Sequence, residues 1–139
     1  MVSVGVSNVL HTMQHDVDPA KVVLGKVGDI SQLELFGVQV LVGTYLRPEK
    51  TAGGLFVTDK LRDEDLYQGK VGLVLKVADG AFVDGDAADT KFHGKSVKPG
   101  DWIFYSVQDG WSLSVNGHHC RILEDVHVRG RIPNVDMVL

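Results

Sequence analysis

Cysteine is almost missing from this chain: Cys120 is the single one among 139 residues. An internal disulfide framework is therefore excluded, and a reducing compartment is the expected setting. Long apolar runs are missing too. The hydrophobic stretches extend a few residues, far short of the roughly 20 that a helix needs to cross a bilayer. The first sixteen residues have neither a basic stretch nor a sustained apolar one, so they do not read as a signal peptide. Positive charge is not in excess. Fourteen lysines and arginines stand against eighteen acidic residues, giving a net charge of −4 and a pI near 5.8. With no basic stripe along the sequence, a binder that relies on neutralising phosphates is excluded. Neither a nucleic acid nor a membrane is expected as a partner.

What is present suffices for one folded domain. A hydrophobic fraction of 44% supports a real core and argues against global disorder. The pattern from Leu35 onward is β. Val38-Gln39-Val40-Leu41-Val42 is β-branched and bounded by glycines, and the stretch from Lys70 to Val77 is a second strand, closed by the Asp79-Gly80 turn. Trp102-Ile103-Phe104-Tyr105 follows the turn Lys98-Pro99-Gly100-Asp101. Trp111-Ser112-Leu113-Ser114-Val115 alternates cleanly and meets Asn116-Gly117, the strongest two-residue hairpin signal, with a return strand from His118 to Leu123. A last strand is expected at Val126-His127-Val128, after an acidic corner at Glu124-Asp125. Short strands at even spacing predict an all-β barrel or sandwich. Ahead of them, Val2, Val4 and Val6 alternate like a half-exposed strand. Asp18-Pro19-Ala20 reads as an N-cap followed by proline, opening a short helix from Ala20 to Leu24 that Gly25 and Gly28 stop. Residues 1–33 thus form an arm that must lie on the body or on a neighbour, 34–132 the barrel, and 133–139 a tail.

Two insertions break the rhythm. Residues 80–96 are rich in Gly, Asp and Ala, with isolated aromatics at Phe82 and Phe92, and fit either a projecting hairpin or a surface loop. Residues 49–68 carry an isolated apolar tripeptide, Leu55-Phe56-Val57, between the flexible Gly53-Gly54 and a strongly charged run. A loop of this length inside a compact domain is usually functional or mobile. The tripeptide reads either as a docking element held out for another surface or as an edge strand with Gly53-Gly54 marking a bulge.

Candidates for chemistry are sparse. His118-His119-Cys120 is the one cluster of ligand-type residues, but successive strand residues face opposite sides. His118 and Cys120 then offer two ligands where zinc needs three or four. Cys120 as a nucleophile has no positioned base beyond its neighbours. Asp84, Asp86 and Asp89 invite a calcium reading that lacks the closing glutamate. Trp102 and Trp111 read as core or interface packing rather than stacking platforms. No metal, cofactor or enzymatic activity is expected.

Laid out in order, the strands and both insertions resemble the GroES-type co-chaperonins, the ten-kilodalton chaperonin family. Three stretches carry the resemblance. Val40-Leu41-Val42 leads into Glu49-Lys50-Thr51-Ala52-Gly53-Gly54-Leu55-Phe56-Val57-Thr58. Gln68-Gly69-Lys70-Val71 continues to Val77-Ala78-Asp79-Gly80. Val97-Lys98-Pro99-Gly100-Asp101-Trp102-Ile103-Phe104 completes the set. The resemblance implies a small GroES-like β-barrel that self-associates into a ring and caps a GroEL-type chaperonin without chemistry of its own. It also implies that residues 49–68 are the mobile loop, that Leu55, Phe56 and Val57 contact the chaperonin with Gly53 and Gly54 as hinge, and that Phe82 and Phe92 belong to a roof hairpin. Departures are visible as well: the first strand lacks a charged pair, the loop continues as Asp59-Lys60-Leu61-Arg62-Asp63-Glu64-Asp65, and the arm and tail are additions. Such additions look like those of phage-encoded members, acting in the cytoplasm of the bacterial host. The same barrel could instead serve in a virion, as a decorating component bound to a major capsid protein.

Overall fold

A computed structural model describes residues 17–48, 58, 60, 70–85 and 91–138. Among the described residues six strands form one antiparallel sheet, in the order β4-β5-β1-β2-β3-β6: β1 Gln39–Thr44, β2 Val71–Val77, β3 Trp102–Phe104, β4 Trp111–Val115, β5 His118–Glu124 and β6 Gly130–Ile132. The alternating pattern of β4 and the turn after it explain the first hairpin. Asn116 and Gly117 both take positive φ, 51° and 87°, the backbone that a tight hairpin turn requires. Strand β1 lies at the centre, paired with β5 on one side and β2 on the other. A register shift falls between Leu41 and Val42 on the β2 side.

β1, β2 and β5 are buried at most positions, so the centre of the sheet is covered on both faces. On one face Leu41, Leu73, Leu75, Trp102, Cys120 and Ile122 form a cluster. On the other, Val40, Val42, Val74, Ile103, Tyr105 and Leu123 form a second, covered by Phe82, Val97 and Val128. Among the described residues the result is an all-β architecture, with a short helix packed on it.

That helix, α1 (Pro19–Val27), covers the first face. Asp18 caps it, its carboxylate accepting the Ala20 N–H at 3.0 Å, and Pro19 occupies the first turn. Val23 and Val27, four apart, point the same way and are both buried. The expected helix from Ala20 to Leu24 is thus too short. Gly25 lies inside it, with nothing near where a side chain would sit, and Gly28 at φ 73° ends it by donating its N–H to Leu24. Burial of Val27 at the far end extends the helix past the glycine. Gly43 makes the approach possible: a Cβ there would stand 2.5 Å from a Val23 methyl. That glycine was expected to bound β1, yet the strand runs through it to Thr44.

The segment after α1 is fastened by Lys76, whose ammonium donates to the carbonyls of Ile30, Ser31 and Leu33. A second correction concerns the end of the sheet. Val126-His127-Val128 is no strand; Asp125–His127 is a 3-10 turn, in which the His127 ring accepts the Glu124 N–H at 3.1 Å. The last strand is Gly130–Ile132, paired with β3. A side chain that caps the local backbone competes with a ladder, and that moves the strand four residues downstream. Beyond it, Val135 is buried in the same cluster as Val23 and Val27.

Candidate functional site

Two loops leave the sheet where the sequence is least strand-like, and their roots are built differently. The first departs after Thr44 and returns at Lys70. Its neck is closed by the Tyr45 N–H on the Val71 carbonyl at 3.0 Å and by the Tyr105 N–H on the Lys70 carbonyl at 2.8 Å. Thr44 itself is gripped from β5. The carbonyl of Thr44 can only accept, so His118 Nε2 donates to it at 2.9 Å. His119 Nδ1 shares a 3.0 Å hydrogen bond with the Thr44 hydroxyl. The two histidines do face opposite sides of β5, yet both hold one residue, because the strand end lets backbone and side chain of Thr44 be reached separately.

Burial disfavours the charged imidazolium at both positions. Desolvation lowers the pKa of His118, with Lys26 adding to the effect. Desolvation also lowers that of His119, helped by Arg121 and His118. Cys120 is fully buried, and burial pushes its thiol up to about 11, so it stays protonated and packs as a small hydrophobe. Tyr105 is likewise pushed up to about 12 by burial. Arg121 spends its guanidinium on the carbonyls of Val107 and Asp109, at 2.7 and 2.8 Å. Among the described residues no three histidines, cysteines or carboxylates converge on a point that could hold a metal. Trp102 is buried against the edge of Tyr45, ring centres 5.9 Å apart, whereas Trp111 is exposed at the start of β4.

The expected docking residues Leu55, Phe56 and Val57, with their hinge Gly53 and Gly54, lie outside the described residues. So do Asp86 and Asp89, and the strand expected at Val2, Val4 and Val6.

The second loop, 80–96, is described at both ends and carries no strand there. Phe82 and Phe92 meet edge to face, ring centres 5.4 Å apart. Asp84 holds the turn: its two carboxylate oxygens accept the Phe92 and Gly94 N–H groups, each at 2.8 Å. Those bonds, Gly94 first, keep its pKa below the usual carboxylate range. Its oxygens are thus committed to the backbone. Phe82 is anchored by its N–H on the buried carboxylate of Asp125, at 3.0 Å.

Between this loop and the chain after β5 lies a cleft of about 600 Å³. Its apolar lining comes from Phe82, Phe92, Val97, Val126 and Val128. Four cations stand around it: Lys91, Lys95, Arg129 and Arg131. Sequence reading missed this cleft because its cations are spread over forty residues and balanced locally by acids. The close spacing of Arg129 and Arg131 in the sequence was the one available signal.

Comparison with known families gives one result. The model of the family described as "Chaperonin 10 Kd subunit" matches residues 32–132. That span contains all six strands, both loops and the cleft. No curated protein matches the chain.

Proposed function

The chain belongs to the ten-kilodalton chaperonin family, and from that premise we propose that it caps a GroEL-type chaperonin as a ring of identical subunits. Membership in the family supports a co-chaperonin function without chemistry of its own. The observation that carries the reading is the match over 32–132, which takes in the whole sheet and the loop between β1 and β2. Within that loop, Leu55, Phe56 and Val57 are assigned the contact with the chaperonin, and Gly53 and Gly54 the freedom to reach it.

The energetics favour a ring. Burying three such side chains contributes about 1.5–3 kcal/mol each. Ordering a flexible segment offsets roughly 2–5 kcal/mol of that gain. One loop therefore binds weakly, and several on one scaffold bind firmly but reversibly through effective concentration. The chain is further proposed to be of the phage-encoded kind, working in the cytoplasm of the host.

The test is a pull-down from host lysate with and without ATP, using the chain and its Phe56→Glu variant. Nucleotide-dependent capture of a double-ring complex by the first, lost in the second while its ring mass is kept, supports the reading. Equal capture by both would remove the tripeptide from it. Recovery of the chain in purified phage particles, with no chaperonin capture, would move it to the virion role.

A further inference from the structure

Thr44 ends β1 at the root of the β1–β2 loop, is 1% exposed, and has two histidines closed on it. His118 Nε2 donates to its carbonyl at 2.9 Å, and His119 Nδ1 lies 3.0 Å from its hydroxyl. The next residue, Tyr45, belongs to the neck itself. Its N–H reaches the Val71 carbonyl, and its ring meets Trp102 edge to face. On the returning side the Tyr105 N–H holds the Lys70 carbonyl. Whatever fixes Thr44 therefore helps to keep the two ends of the loop together.

This grip suits uncharged rings. His118 already uses Nε2–H on the carbonyl, so a further proton goes to Nδ1 and charges a buried side chain. A charged His119 carries hydrogen on both nitrogens, so the Thr44 hydroxyl could then only accept from it. The charged groups acting on the rings among the described residues are Lys26 from α1 and Arg121 from β5, besides the neighbouring histidine. All of these are cations. Opposite the pair, β4 places Ser114 and Val115, which bear no charge. Tyr105 from β3 and Cys120 from β5 stay neutral, held protonated by burial. The Thr44 carbonyl alone favours a cation on His118, and burial outweighs it. Two protons here would add like charges to a dry corner, and water can reach the rings only if the neck parts. The rest of β1 pairs with β2 and β5 without these rings.

We propose that Thr44, His118 and His119 form a proton-sensitive clasp, which holds the neck of the β1–β2 loop shut at neutral pH and releases it in mild acid while the sheet stays folded. The use of the clasp, regulating how the loop is presented to a chaperonin, rests on the proposed function. The clasp itself does not.

Two measurements on the full chain test it. Amide exchange, corrected for the intrinsic effect of pH, should show the Tyr45 and Tyr105 amides losing at least about tenfold in protection between pH 7 and 5. Amides of the β1–β5 ladder should keep theirs. Trp102 gives a second readout, because it packs on Tyr45 and is one of two tryptophans. With the exposed Trp111 changed to Phe, emission should move to longer wavelength below about pH 6.5, with the far-ultraviolet circular dichroism unchanged. That transition should disappear when His118→Gln and His119→Asn are added, since both amides can bond Thr44 without titrating. His127 lies past the other end of β5 and is unaltered in that variant. Exchange needs no substitution, so it stands even if the variant misfolds. Unchanged protection at Tyr45 and Tyr105 overturns the proposal. So does protection lost equally along the ladder, or an emission change that survives in the histidine variant. Chaperonin capture at pH 7 reads out separately: capture with an unresponsive neck sinks the clasp alone, and a responsive neck without capture sinks the docking reading alone.

Discussion

One face of the sheet is covered by chain that the family model spans, the other largely by chain that it does not. Phe82, Val97 and Val128 cover the first, all within residues 32–132. Val23 and Val27 of α1 and Val135 beyond β6 join the second, and all three fall outside that span. Segments on either side of the matched span therefore converge on one face. The difference teaches where tolerance should lie: Val40, Val42, Val74, Ile103 and Leu123 lie within the matched span, while α1 covers the opposite face from outside it.

The comparison breaks most readily at Ile103, fully buried on the family-covered face. Ile103→Ala should lower stability by about 2–5 kcal/mol, seen as a fall in urea midpoint and faster amide exchange throughout the sheet. An unchanged midpoint would mean that this face is not the folding core. Val27→Ala, on the other face, should cost about 2 kcal/mol. Its exchange signature should be confined to α1 and its contacts; equal loosening of β2 and β3 would show that the two faces are not separable. Asp18→Ala removes the helix cap and should cost about 1 kcal/mol, read as fraying of residues 20–22, with Asp18→Asn restoring most of it.

The smallest effect should come from mild acid. His118 and His119 bind a proton less readily folded than unfolded, where imidazole titrates near 6.5. Their contribution is therefore complete above about pH 6.5 and is lost as pH falls through that range toward the lowered folded values. The melting temperature should decline between pH 7 and 5, and less so in His119→Asn. A flat profile would show that the grip on Thr44 does not depend on neutral rings. Asp84 and Asp29 have lowered carboxyl pKa values, so their contribution is lost only below the ordinary carboxylate range.

Most of the architecture was legible from the residues. Strand β4 and its Asn116-Gly117 turn stand where alternation and turn chemistry put them, and β2 and β5 differ from expectation by a residue at one end. Asp18-Pro19 marked the start of α1 because capping is local. Its end was not legible, because Gly25 stops a helix only when nothing beyond it is worth burying, and Val27 is. The shift from Val126-His127-Val128 to Gly130–Ile132 was hidden for a similar reason: β-branched residues suggest a strand, while a histidine ring accepting the Glu124 N–H makes a turn. Of the site, the loops and the Phe82–Phe92 pair were foreseeable as features. The convergence of His118 and His119 on Thr44 arises from pairing across the sheet, and that of four scattered cations on one cleft from a loop folding back over the chain after β5.

The turn that makes the first hairpin has a slower consequence. Asn116 donates its side-chain amide to the carbonyl of Val27, tying the hairpin to the end of α1. Asparagine before glycine is the pair most prone to lose ammonia as a protein ages. Here that loss would replace a donor by a carboxylate facing a carbonyl oxygen, turning an attraction into a repulsion. The fastening of the helix is thus also a clock, and old preparations should shed α1 before they lose the sheet.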